Sequence, residues 1–224
     1  MELEKDLTYE ETIEWWKKAS STYFTSFYFG FSDINTIKDL YLTKDSVILE
    51  IGFGFGRETR DFLRISEHVF GVDLSENHVA LASKALKEEG VKKLPTLKVY
   101  DGIHIPFEDN TFDLIYSCFV IQHMSKQSGI ELLANALCKL KPAGVLLFEF
   151  FGDPEYTGGK EKNSYMAEPD KGHIFNNAYS PEDITWLISQ VNTKTPCRIA
   201  WKKPWIWNSE EGFHPNYWVA LQKC

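Results

Sequence analysis

Chemistry in this chain is concentrated where glycines and acids follow short apolar runs. Val47-Ile48-Leu49-Glu50-Ile51 reads as a buried strand and breaks into Gly52-Phe53-Gly54-Phe55-Gly56-Arg57. Thr59, Phe62 and Leu63 then keep a helical spacing. Strand, glycine turn and helix in that order let a ligand approach the backbone where no Cβ intrudes. The following helix points unpaired N–H groups into the same space. The spacing is Glu-x-Gly-x-Gly-x-Gly, with the acid two residues before the first glycine. It differs from the G-x-G-x-x-G of dinucleotide-binding turns. A strand turn without a ligand is the bland alternative.

Two further acids end apolar runs. Asp73 closes His68-Val69-Phe70-Gly71-Val72, seventeen positions after Gly56. An acid at the end of a second strand is placed to hold a ribose hydroxyl pair, or simply to cap the helix that starts near Ser75. Asp101 follows Thr96-Leu97-Lys98-Val99-Tyr100 and precedes Gly102, a pair that also suits a turn.

On these residues the sequence resembles the class I S-adenosylmethionine-dependent methyltransferases, from about Thr43 to the C-terminus. Their first motif is a strand ending in an acid, then G-x-G-x-G. Ile105-Pro106-Phe107, an acidic turn, then Thr111-Phe112-Asp113 is typical of the family's small-molecule branch. Lys141-Pro142-Ala143-Gly144 is similar to its L-K-P-G-G turn, with Ala143 for a glycine. The resemblance implies a ribose partner in Asp73 and an adenine partner in Asp101. It implies a cofactor site of Glu50, Gly52, Gly54, Gly56, Asp73, Leu74, Asp101, Gly102, Ile103, Ser117, Cys118 and Phe119. The stretch Cys118 to Met124 would flank the methyl group; Gln122 stands where some relatives have a first histidine, which is a departure.

The reaction implied is transfer of a methyl group to O or N of a small molecule, with S-adenosylhomocysteine as product. His123 is the first candidate base, since an unperturbed imidazole titrates near neutrality; a histidine that only caps the helix start is the alternative. Glu149, the one acid in the apolar run Val145–Phe150, and His173 are the second candidates. Two other functions stay open: a nicotinamide-dependent oxidoreductase, and a catalytically silent module that binds cofactor or partner on the same fold.

The elements that must position these residues imply a Rossmann-like α/β fold. A seven-stranded, mostly parallel sheet in the order 3-2-1-4-5-7-6 is expected, its last strand antiparallel, with helices on both faces. Strands are expected at 46–51, 68–73, 96–100, 112–116 and 145–150, and in a closing hairpin of 198–207 and 217–221. A nicotinamide dehydrogenase would carry a sixth parallel strand in place of that hairpin. Helices are expected near 57–65, 75–89, 125–140 and from Pro181, the last capped by Ser180. Residues 1–42 form an N-terminal lid segment, with Thr8 and Glu11 as a capping box and an aromatic run from Tyr23 to Phe31. That run suits either a lid or a dimer surface. Residues 43–224 form the cofactor-binding domain, with 151–179 as an inserted loop on the acceptor side.

Composition bounds the rest. The 224 residues suit one domain and are 43% hydrophobic and 15% aromatic, a globular balance. No apolar run approaches the ~20 residues of a membrane span, and the acidic Met1–Asp6 start is no signal peptide. Net charge is −8, from 24 basic and 32 acidic residues, which argues against nucleic acid as acceptor. Four scattered cysteines without a C-x-x-C pair argue for a reducing cytoplasm and against zinc; no metal is expected. A monomer or a homodimer fits equally.

Overall fold

The computed structural model describes residues 7–18, 40, 42–152, 165–168, 172–174, 177–209 and 212–224. Helix α1 (Tyr9–Lys18) comes first, followed by β1 (Val47–Ile51), α2 (Arg57–Leu63), β2 (His68–Asp73), α3 (Glu76–Glu88), β3 (Thr96–Val99) and β4 (Phe112–Ser117). A 3-10 turn (Ile121–His123) leads to α4 (Lys126–Lys139), β5 (Leu140–Phe150), β6 (Tyr165–Glu168), β7 (Gly172–Ile174), α5 (Pro181–Lys194), β8 (Cys197–Ser209) and β9 (Gly212–Lys223).

Seven strands form one sheet in the order β3-β2-β1-β4-β5-β9-β8, while β6 and β7 pair separately. With that small hairpin left uncounted, this is the expected 3-2-1-4-5-7-6. The first five strands are parallel and β9 runs antiparallel to β5. The closing antiparallel hairpin is the feature that a dehydrogenase sheet lacks.

Alternation along β1 divides the core. Leu49 and Ile51 pack with Val72, Ile115, the α4 residues Leu133 and Leu137 and the α5 residues Ile184 and Leu187. Ile48 faces the other way, with Phe62 of α2, Leu114, Tyr116 and Trp218. Both faces are covered, so the parallel strands are apolar along most of their length.

Three local features refine the sequence expectations. Glu11 and Thr8 form the capping box: each backbone N–H donates to the other's side chain, at 2.8 and 3.2 Å. Second, β5 starts at Leu140 instead of after Gly144. Its partner register jumps from Phe112↔Leu140 to Leu114↔Val145, with Ala143 at φ +64°, so the Lys-Pro-Ala-Gly turn is a bulge inside the strand. Third, the closing hairpin is longer than expected and pairs through to Ser209↔Gly212. Pro215 is tolerated because β5 reaches β9 only as far as Tyr217, which leaves the tip with β8 as its neighbour.

The aromatic run 23–31 lies outside the described residues, as do 153–164, 169–171 and 175–176 of the expected loop 151–179. The described part of that loop carries the β6–β7 hairpin. No helix among the described residues is long and apolar enough to cross a membrane.

Candidate active site

The parallel strands end on one edge of the sheet, and the candidate residues gather there. β1 gives way to a turn in which Gly52, Gly54 and Gly56 all take positive φ, at 74°, 51° and 81°. Two of them are required for different reasons. A Cβ on Gly52 would lie 2.3 Å from Val120 Cγ2, so the loop after β4 rests directly on the turn. A Cβ on Gly54 would meet nothing within 4 Å, so this residue borders open space.

Asp73 ties that turn to β2. It is 7% exposed, and its Oδ2 accepts from Gly54 N–H at 2.9 Å. Its Oδ1 accepts from Ser75 N–H at 3.0 Å and lies 2.9 Å from His78 Nδ1. Leu74, Glu76, Asn77, Val99 and Tyr100 line a cavity of about 460 Å³, closed on one side by Lys17 and Lys18 of α1. Burial, with Asp73 and Asp101 nearby, raises the Tyr100 phenol, which therefore stays protonated.

Asp101, at the end of β3, is exposed. It accepts from Ile103 N–H at 2.8 Å and His104 N–H at 2.6 Å, and its Oδ2 lies 2.6 Å from His104 Nδ1. Slight burial opposes it, yet the His104 and Ile103 hydrogen bonds hold this carboxyl below the usual range. Gly102 has φ +99° and sits against Leu74.

Glu50 turns to the α2 face and accepts from the Thr59 hydroxyl. Burial, and then the neighbouring Glu58, push it well above the usual carboxylate range. Its side chain supports the turn from beneath.

The loop after β4 is held by the neighbouring strand β5. Ser117 is buried, and its Oγ has no hydrogen-bond partner among the described residues. Phe119 takes φ +55°, a conformation that a bulky side chain rarely adopts. Glu149 anchors this strained residue: its Oε2 accepts from Phe119 N–H at 3.1 Å and from Cys118 Sγ at 3.4 Å. Its Oε1 accepts from Asn216 Nδ2 at 2.6 Å. Burial pushes Glu149 up to about 7, and burial with Glu149 nearby pushes the Cys118 thiol up.

His123 ends the 3-10 turn and is half-buried, its ring 5.2 Å from that of Trp16 on α1. Asn177 pins the turn: its N–H donates to Gln122 O at 2.6 Å and its side chain donates to Met124 O. His173 is placed in β7 by its backbone, and its side chain lies outside the described part.

Thus the glycine turn, Asp73, Leu74, Asp101, Gly102, Ile103 and Ser117 to Phe119 come to one edge of the sheet. Sequence reasoning missed His78, Asn177 and Asn216. Each was an ordinary polar residue in its own segment, although His78 had one signal: it stands three residues past the N-cap, where a side chain can reach back.

The sheet order β3-β2-β1-β4-β5-β9-β8, the glycine turn after β1 and the acid that ends β2 were compared with known proteins. A family model described as a methyltransferase domain matches residues 49–148. Phosphoethanolamine N-methyltransferase 2 of Caenorhabditis elegans is 30% identical over 149 residues, 66% of this chain and 33% of that protein. Phosphoethanolamine N-methyltransferase of Plasmodium falciparum is 29% identical over 158 residues, 65% of this chain and 56% of that protein. The chain therefore spans a third of the one relative and about half of the other. A solved S-adenosylmethionine-dependent methyltransferase from Methanosarcina mazei shares the fold, with TM-score 0.69 at 17% identity over 84% of this chain and 96% of that one. Residues 49–148 thus match a methyltransferase domain, and the described residues share the fold of a solved S-adenosylmethionine-dependent methyltransferase.

Proposed function

We propose that this chain transfers a methyl group from S-adenosylmethionine to an oxygen or nitrogen of a small molecule. The observation that carries the reading is the contact of Gly54 N–H with Asp73 Oδ2 beside open space at Gly54. It sets a buried ribose-type acceptor next to backbone that a ligand can approach. The donor set suits the cofactor. Among the described residues Asp73 Oδ2 takes one protein donor, and a carboxylate has about four acceptor positions in all. Leu74 and Tyr100 give the adjoining cavity an apolar and neutral wall for an adenine, and Asp101 is the next residue in the chain.

The bound cofactor supplies an electrophilic methyl on a sulfonium, and its departure needs little acid assistance. The chain's own residues bind, align and exclude water. Asp73, Leu74, Asp101, Gly102 and Ile103 take the nucleoside, while Glu50 and the three glycines form the turn beneath it. Ser117, Cys118 and Phe119 would border the methyl, the last two held by Glu149. Alignment of this kind contributes about 7–11 kcal/mol in well-oriented systems. His123 accepts a proton from the acceptor; Glu149 is kept as a loop anchor, and His173 remains a second candidate base. Residues 1–42 act as a lid on the 43–224 domain, since α1 already sets Trp16 against His123. The acceptor is a small metabolite; the net charge of −8 argues against nucleic acid.

The test has two stages. S-adenosylmethionine and S-adenosylhomocysteine are titrated calorimetrically into the wild type and Asp73→Ala, and a folded wild type that binds neither ends the proposal. Amine and hydroxyl acceptors are then screened for S-adenosylhomocysteine release. Phosphoethanolamine comes first, because two relatives are named for it.

A further inference from the structure

One buried side chain beside the glycine turn has no part in the methyl transfer proposed above. His78 stands on the first turn of α3, three residues past the N-cap Ser75, and is 4% exposed. Its Nδ1 lies 2.9 Å from Asp73 Oδ1. Its ring centroid is 5.5 Å from that of Phe55, in the glycine turn itself. Its Nε2 is buried without a hydrogen-bond partner among the described residues.

A carboxylate oxygen only accepts, so Nδ1 carries the proton in this contact. Asp73 Oδ1 takes both Ser75 N–H and His78, while Oδ2 takes Gly54 N–H. Three of about four acceptor positions are thereby filled, and the carboxylate cannot rotate. The position left is on Oδ2, beside the open space at Gly54. An orphaned Nε2 costs stability that an apolar ring of similar size would avoid. The useful atom is therefore Nδ1.

We propose that His78 is a positioning residue for the cofactor's ribose: its Nδ1–H fixes Oδ1 of Asp73 and turns the remaining lone pair of Oδ2 to the ligand. This rests on the cofactor assignment above. Asparagine can place an amide N–H where Nδ1 lies, whereas glutamine places it nearer Nε2. Packing alone would rank the variants by volume, with Gln and Phe above Asn; positioning predicts the reverse.

The experiment is calorimetric titration of S-adenosylhomocysteine into the wild type, His78→Asn, His78→Gln and His78→Phe, with the ligand-free Tm of each. His78→Asn is expected to bind within about threefold of wild type. His78→Gln and His78→Phe are expected to bind about 10- to 100-fold more weakly, the value of a hydrogen bond to a charged group. If His78→Phe does not fold, the Asn and Gln pair decides. Binding by His78→Gln equal to or tighter than by His78→Asn overturns the proposal. A folded wild type that does not bind at all removes the cofactor assignment itself, a different and separately visible failure.

Discussion

Asn216 donates its side-chain N–H to Glu149 Oε1 at 2.6 Å, while its own Oδ1 accepts from Gly152 N–H at 3.2 Å. One fully buried amide on β9 thus fixes both an acid at the end of β5 and the chain that leaves it. Through Glu149 the restraint reaches Phe119. Replacing Asn216 with Leu leaves the Glu149 carboxyl short of a donor in a dry site. A loss of about 1–3 kcal/mol in urea unfolding is expected. An unchanged midpoint would show that Glu149 finds another partner.

Glu149 makes stability depend on pH. Its folded value is about 7 against an ordinary 4.5, so between these limits the folded chain holds a proton that the unfolded chain has lost. Its contribution is fully present below about 4.5 and is lost as pH rises through about 7. On the order of 3 kcal/mol is at stake across the window. Chemical unfolding at half-unit pH steps should show wild-type stability falling more steeply than that of Glu149→Gln. Parallel curves would remove the effect.

Two glycine substitutions should separate folding from binding. Gly52→Ala forces a Cβ into Val120 and should cost several kcal/mol, roughly the sum of overpacking and left-handed strain. Gly54→Ala bears only the backbone strain, about 1–2 kcal/mol. It should remain folded yet bind S-adenosylhomocysteine at least tenfold more weakly, because its methyl occupies the open space. Circular dichroism melts and calorimetry on both variants make the comparison.

Asp73→Ala removes the acceptor shared by Gly54, Ser75 and His78. A tenfold or greater weakening of cofactor binding is expected, roughly the loss of one charge-assisted hydrogen bond from the position left on Oδ2. Asp101→Ala should weaken binding less, since its exposed carboxyl is screened by water. Equal effects would contradict the buried-versus-exposed distinction.

His123→Gln tests the proton acceptor. A fall of about 10²–10⁴ in kcat is expected, with S-adenosylhomocysteine affinity within threefold of wild type. A kcat within fivefold of wild type at saturating cofactor would leave His123 as a packing partner of Trp16.

The sheet order was legible in advance because each strand announced itself by an apolar run and an end signal. Gly52 to Gly56 stopped β1, and Asp73 stopped β2. The capping box of Thr8 and Glu11 and the Ser180 cap were equally local. What escaped was what depends on distant pairing. Nothing near Asn216 says that it will face Glu149, 67 positions away, across the β5–β9 ladder. Ala143 hid the bulge in β5, since an alanine does not advertise a positive φ. The β6–β7 hairpin was obscured by the glycines and prolines around it, which read as loop. The periodicity of α3 does not single out His78, because its partner Asp73 lies on a different element.

The reach of β9 has a consequence for biosynthesis. Every glycine and acid of the proposed nucleoside site has been synthesised once residue 103 is made, and the 49–148 methyltransferase match is complete soon after. The clamp on Phe119 is not, because Asn216 is translated about seventy residues later still. A nascent chain can thus carry the whole motif while the strained loop beside it waits for β9 and its Asn216.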